Sequence, residues 1–204
     1  MIVKDAFPFL IPLFVSAILA FALGLHLATF LVMLLAAFVA FFFRNPKRDV
    51  PPDPHVIVSP ADGRVVKVER VGNVTKLSIF LSLFDVHVNR SPIAGRIEAM
   101  DYKKGKFKAA FNHAASVENE RNVIMVSQGD LKLVFTQIAG LIARRIVCWK
   151  KVGDTVEKGE LIGLIRFGSR VDVLFPPGTE AIVEKGMRVY GGSSTIGIIS
   201  EDRR

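Results

Sequence analysis

Leu161-Ile162-Gly163-Leu164-Ile165-Arg166-Phe167-Gly168-Ser169-Arg170-Val171-Asp172-Val173-Leu174-Phe175-Pro176 decides how the chain is read. The run is apolar and rich in β-branched residues, so its flanks read as one strand or as two strands joined by a tight bend. Gly168-Ser169 interrupts it. Glycine inside a strand costs stability and marks a bulge or a close backbone approach. The pair also has a chemical reading. Gly168 has no side chain to shield its carbonyl, and Ser169 places a hydroxyl beside it, as an N→O acyl shift requires. Taken alone, the dipeptide reads first as a bulge that happens to hold a serine.

Around this stretch the sequence from His55 onward is a string of short β-rich runs. Val56-Ile57-Val58, Val65 to Val68, Leu77 to Leu81, Val123 to Val126, Leu131 to Phe135 and Ile182-Val183 are separated by Gly, Pro, Asn and Asp. Gln137 to Arg145 reads as the one short helix. Two segments echo each other: Ser59-Pro60-Ala61-Asp62-Gly63-Arg64-Val65 and Ser91-Pro92-Ile93-Ala94-Gly95-Arg96-Ile97. So do Val152 to Gly163 and Glu184 to Gly197, with glycines at matching turn positions. This turn grammar resembles the barrel-sandwich modules of lipoyl and biotinyl carriers. The fold class expected is mainly β: a duplicated barrel-sandwich-like domain over residues 55–204.

Upstream the character changes. Residues 6–43 hold no Asp, Glu, Lys or Arg over 38 positions. One helix of that length would measure roughly 57 Å, against a hydrocarbon core of roughly 30 Å. Two helices turning near Gly24-Leu25-His26 fit better, as a transmembrane or re-entrant hairpin within residues 1–44. Lys4 before it and Arg44, Lys47 and Arg48 after it place both ends in the cytoplasm. These cations are expected to lie against anionic lipid. Residues 45–54, with Pro46, Pro51, Pro52 and Pro54, read as an extended linker.

Composition narrows the partners. The net charge of +8 suits nucleic acid or an anionic membrane. The basic residues are dispersed and no nucleic-acid-binding motif is present, so membrane is favoured and nucleic acid is not expected. Cys148 is the only cysteine, which excludes an internal disulfide. Its apolar strand-like context reads as a small buried hydrophobe.

Four features share the chain with the hydrophobic hairpin: Ser59-Pro60-Ala61-Asp62-Gly63; Leu81-Ser82-Leu83-Phe84-Asp85-Val86-His87-Val88-Asn89-Arg90-Ser91-Pro92; Glu118-Asn119-Glu120-Arg121-Asn122; and Phe167-Gly168-Ser169. Singly each has a plain reading as a turn, a structural histidine, a solvated loop and a bulge. Together, in this order, they resemble the phosphatidylserine decarboxylases, and most closely the short form of bacteria and archaea. The resemblance spans almost the whole chain from Phe42-Phe43-Arg44-Asn45-Pro46 onward.

The resemblance implies a proenzyme that cuts itself into residues 1–168 and 169–204. Ser169 Oγ attacks the Gly168 carbonyl, the resulting ester is eliminated, and residue 169 becomes a pyruvoyl group. That covalent cofactor takes up the amine of phosphatidylserine and serves as the electron sink for loss of CO₂, giving phosphatidylethanolamine. No metal is expected. His87 is the expected base, oriented by Asp62, because a neutral imidazole accepts a proton near neutral pH; His113 is the next choice. The longer bacterial enzymes carry Leu-Gly-Ser-Thr and a second histidine three residues after the first. Here Phe167 and Arg170 flank the pair, and Arg90 holds the second position. Arg90 and Arg170 are expected to bind substrate phosphate or carboxylate. The substrate is phosphatidylserine or its archaeal ether analogue, the site faces the cytoplasm at the cell membrane, and a homo-oligomer is compatible with the sequence.

Two other readings fit parts of the pattern. A membrane-anchored lipoyl- or biotinyl-like carrier would need an acceptor lysine between methionines, and no Met-Lys-Met occurs. An adaptor β-sandwich without chemistry would not need Asp62, His87 and Gly168-Ser169 together. Gly192-Ser193 repeats the dipeptide but falls at a turn of the second echo, where a structural role suffices.

Overall fold

In the computed structural model, which describes residues 1–105, 119–140, 145–166 and 168–200, the uncharged N-terminal run forms two helices, α1 (Phe7–Ala22) and α2 (His26–Phe42). Gly24, at φ +72°, makes the turn between them. The open ends are tied by Val3 N–H to the Phe43 carbonyl (3.1 Å) and Asn45 N–H to the Met1 carbonyl (2.7 Å). Ile11, Ile18, Leu27 and Phe30 are among the large apolar side chains exposed on these helices. Lys4–Ala22, 19 residues, is long and apolar enough to cross a membrane by length and composition. The chain divides into two compact units, Met1–Lys47 and Arg48–Arg204. Residues 48–54 contain no helix or strand and count with the second unit.

The second unit is built of strands. In chain order they are β1 (Val56–Val58), β2 (Gly63–Val71), β3 (Val74–Leu81), β4 (Val88–Arg90), β5 (Gly95–Lys103), β6 (Arg121–Gln128) and β7 (Leu131–Ala139). There follow β8 (Ile146–Cys148), β9 (Thr155–Val156), β10 (Leu161–Ile165), β11 (Ser169–Phe175), β12 (Thr179–Ala181), β13 (Arg188–Val189) and β14 (Thr195–Ile199). An eight-stranded antiparallel sheet runs β13-β2-β3-β11-β7-β6-β5-β9, with three-stranded sheets β1-β14-β12 and β4-β10-β8. The mainly β class expected from the sequence is the class observed.

The sequence echoes become structural duplication. Ser59 Oγ donates to the Ala61 carbonyl and Ser91 Oγ to the Ile93 carbonyl, both at 2.7 Å. Val65 N–H donates to the Met187 carbonyl at 2.8 Å, and Ile97 N–H to the Asp154 carbonyl at 2.9 Å. Reading the sheet orders from both ends matches β2 with β5, β3 with β6, β11 with β7, and the pair β1-β14 with β4-β10. One copy is therefore continuous, β4 to β10. The other is β1 to β3 completed by β11 to β14. The chain returns to the interrupted copy between Ile165 and Ser169.

Alternation along the central strands sends Leu77, Ile79, Leu81, Phe135, Ala139, Val171, Val173 and Phe175 into one apolar core. Two local expectations are corrected. Gln137 does not begin a helix: β7 runs through Ala139, because Gln137 lies opposite Val171 and its amide is bonded within the core. Arg145 is outside any helix, and residues 141–144 lie outside the described residues. The strand expected at Ile182-Val183 is instead Thr179–Ala181, paired with β14.

Candidate active site

The stretch Leu161 to Pro176 is two strands in different sheets, β10 and β11, and Gly168-Ser169 is the corner between them. Gly168 stands at φ +56°, in the left-handed region where an L side chain is strained. Ser169 opens β11 between two neighbours, opposite Leu81 of β3 and Ala139 of β7. It is 0% exposed, and its Oγ has no hydrogen-bond partner among the described residues. A buried hydroxyl without a partner is costly, which makes it unusual for a purely structural serine.

His87 meets this corner. Gly168 N–H donates to His87 Nε2 at 3.3 Å, and His87 Nδ1 lies 3.0 Å from the Asp85 carbonyl oxygen. A carbonyl can only accept, so Nδ1 carries the hydrogen and Nε2 keeps its lone pair, the tautomer assigned by these partners. The histidine backbone is fixed too, since Ile165 N–H donates to the His87 carbonyl at 3.2 Å. Asp85 is itself pinned: its carboxylate accepts from Ser82 N–H (2.8 Å) and Ser82 Oγ (2.7 Å) and pairs with Arg188.

Asp62 is buried nearby but does not orient His87. Its carboxylate accepts from Arg48 Nη2 at 2.8 Å on each oxygen and from Gly191 N–H at 2.8 Å. Burial raises its pKa above the ordinary carboxylate value, and the Gly191 amide and the Arg48 guanidinium pull the other way. The contact with His87 expected of Asp62 is made instead by the Asp85 carbonyl.

Residues 35–197 match the family model for phosphatidylserine decarboxylase. The chain belongs to the phosphatidylserine decarboxylase family. It is 53% identical over 165 residues to a phosphatidylserine decarboxylase proenzyme of Solibacter usitatus, covering 81% of this chain and 80% of the relative. A proenzyme of the same name from Carboxydothermus hydrogenoformans is 47% identical over 204 residues, with 96% and 95% covered. One from Geobacter sp. strain M21 is 41% identical over 211 residues, with 97% and 96% covered.

Within this decarboxylase-family site the two arginines part company. Arg90 is half-buried; its Nη1 donates to the Gly159 carbonyl at 2.8 Å, and its stem fills the notch left by Gly192. Burial, then the neighbouring Arg48, lower its pKa. Arg170 alternates to the sheet face opposite the Ser169 side chain and pairs with Asp172 at 2.9 Å. The structure therefore does not bring it beside Ser169 Oγ. Gly192-Ser193 is a turn, with Gly192 N–H donating to the Ser59 carbonyl at 2.8 Å, as Gly159 N–H does to Ser91.

The polar cluster before β6 is not a solvated loop. Asn119 donates to the Ala139 carbonyl at 2.7 Å, and Glu120 Oε1 accepts from Ile146 N–H at 3.1 Å. Asn119 therefore braces β7, the strand lying opposite Ser169, and the Glu120 side chain braces β8. Glu118, Phe167 and His113 lie outside the described residues. Sequence reasoning missed Asp85, Asn89 and Gln137. The alternation of His87 and Asn89 about Val88 was the available signal for one of them.

Proposed function

We propose that this family member is a proenzyme that cuts itself at Gly168-Ser169 and then decarboxylates phosphatidylserine to phosphatidylethanolamine at the membrane. The observation that carries the reading is the corner itself: a buried Ser169 Oγ, without a partner among the described residues, one residue after an amide held by the proton-free nitrogen of His87.

His87 Nε2 takes the Ser169 hydroxyl proton as Oγ bonds to the Gly168 carbonyl carbon. The Gly168–Ser169 C–N bond breaks and the Ser169 nitrogen takes up a proton, leaving an ester. Loss of the Ser169 α-proton expels the Gly168 carboxylate and leaves dehydroalanine, which with one water gives ammonia and the pyruvoyl terminus. The residues present fit such a group, because Ser169 is fully buried and held between strand residues on both sides. The pyruvoyl carbonyl supplies the electron sink for loss of CO₂. Arg90 is assigned to the substrate's phosphate or carboxylate because its guanidinium suits either; Arg170 serves the ion pair with Asp172. The apolar helix Lys4–Ala22 holds the enzyme in the membrane, with Arg44 and Lys47 on the cytoplasmic side.

The test is release of labelled CO₂ from carboxyl-labelled phosphatidylserine by the purified full chain. Wild type should release it, and Ser169→Ala should stay one chain and release none. Carrier or adaptor modules would show neither cutting nor CO₂.

A further inference from the structure

We infer that Asn89 is a further catalytic residue of the self-cleavage: its Nδ2 donates to the Gly168 carbonyl oxygen as that oxygen becomes negative. The inference rests on the self-cleavage reading above.

Asn89 is 0% exposed, and its Nδ2 has no hydrogen-bond partner among the described residues. Leaving such a donor unsatisfied costs about 1–3 kcal/mol, so a buried orphan calls for a reason. Its direction is set by a chain of amides. Asn122 Nδ2 donates to Gln137 Oε1 at 3.1 Å, and Gln137 Nε2 donates to Asn89 Oδ1 at 2.9 Å. With Oδ1 turned to Gln137, the Nδ2 of Asn89 is the free end of the chain.

That end belongs to the cleavage corner. Gln137 lies opposite Val171, and Ala139, on the same face, lies opposite Ser169. Gln137 and the Ser169 side chain therefore share the inner face of the sheet, one rung apart. From the other side, His87 holds the Gly168 amide and Asn89 follows two residues later on the same side of the chain. The path Gly168–His87–Asn89–Gln137 thus closes back on the strand that Ser169 opens. Two buried polar atoms without a partner among the described residues lie on this path, the hydroxyl that attacks and an amide donor.

Attack by Oγ moves the carbonyl π pair onto the Gly168 oxygen. A fixed donor aimed at that charge stabilises the tetrahedral state without reorganisation. Collapse returns the pair, breaks the C–N bond, and the proton held by His87 passes to the Ser169 nitrogen. Gln137 and Asn122 act through Asn89 and are positioning residues.

The experiment follows chain cutting over time after cell-free synthesis of the full-length protein into lipid nanodiscs, with protease resistance as the check on folding. Asn89→Ala should cut about 10²–10³-fold more slowly than wild type, the loss typical of one oxyanion donor. Hydroxylamine, which cuts an ester already formed, should not restore the wild-type rate, because the lesion precedes the ester. Should Asn89→Ala not fold, Asn89→Leu with Gln137→Met removes both partners of one hydrogen bond at similar shape and should show the same slowing. A folded variant that cuts at the wild-type rate, or one that hydroxylamine restores to it, overturns the role of Asn89 alone. Wild type that never cuts overturns the self-cleavage reading as well.

Discussion

A histidine serves as a base through a ring nitrogen that carries no hydrogen, and in His87 the Asp85 carbonyl fixes the hydrogen on Nδ1 while the Gly168 N–H donates to Nε2, which leaves Nε2 as the nitrogen that can take a proton. Folded His87→Ala should therefore cut itself about 10²–10⁴-fold more slowly, read as fraction cleaved against time. Asp62 makes a different prediction. Burial makes the folded chain hold the Asp62 proton more tightly than the unfolded chain does, so stability falls as pH rises from the ordinary carboxylate value of 3.8 through the raised one. Against Asp62→Asn, in a Ser169→Ala background, the urea midpoint of the parent should decline as the pH is raised above about 4; a rising difference would contradict this. That Gly168 and His87 meet was legible because their motifs point to one chemistry, and the fold brings the Gly168 N–H onto His87 Nε2. The partner of Asp62 was not. Arg48 reads as one more cation beside a membrane segment, and only the fold turns it onto a carboxylate 14 positions away.

At the scale of elements, duplication predicts paired behaviour. A Cβ on Gly63 would lie 2.2 Å from the Phe80 carbonyl oxygen, and one on Gly95 2.0 Å from that of Ser127, with φ at +152° and +154°. Gly63→Ala and Gly95→Ala should each destabilise by roughly 3 kcal/mol in urea unfolding, from overpacking and backbone strain together. Gly168→Ala meets nothing within 4 Å and should cost only the left-handed backbone, about 1–2 kcal/mol. The echoes were visible in sequence because both turns need glycine at one offset. Gln137 was misread because an amide side chain is not expected on the buried face of a strand; buried amide bonding to Asn89 and Asn122 explains it. The Arg48–Asp62 pair also sets where the β unit begins. A chain starting at Arg48 should be soluble and cut itself, whereas one starting at Asp49 should be less stable, measured by thermal unfolding of the two side by side.

At the scale of the molecule, the proposed cleavage falls where the chain passes from the continuous copy back to the interrupted one. Cutting there removes no strand from either copy. The small chain would keep β11 between β3 and β7, β14 against β1, and β13 against β2. The two products should therefore copurify without denaturant and separate only in it. This interleaving was not legible in sequence, because matching turn motifs say that two copies exist but not which strands complete each. The central claim is that residue 169 ends as a pyruvoyl group, and intact-mass measurement of the purified protein tests it most directly. Two species are predicted, residues 1–168 with a free carboxylate and a 36-residue chain from position 169 that is lighter than its serine-led form by one ammonia. A single species of 204 residues, or a small chain beginning with serine at 169 or 193, would contradict it.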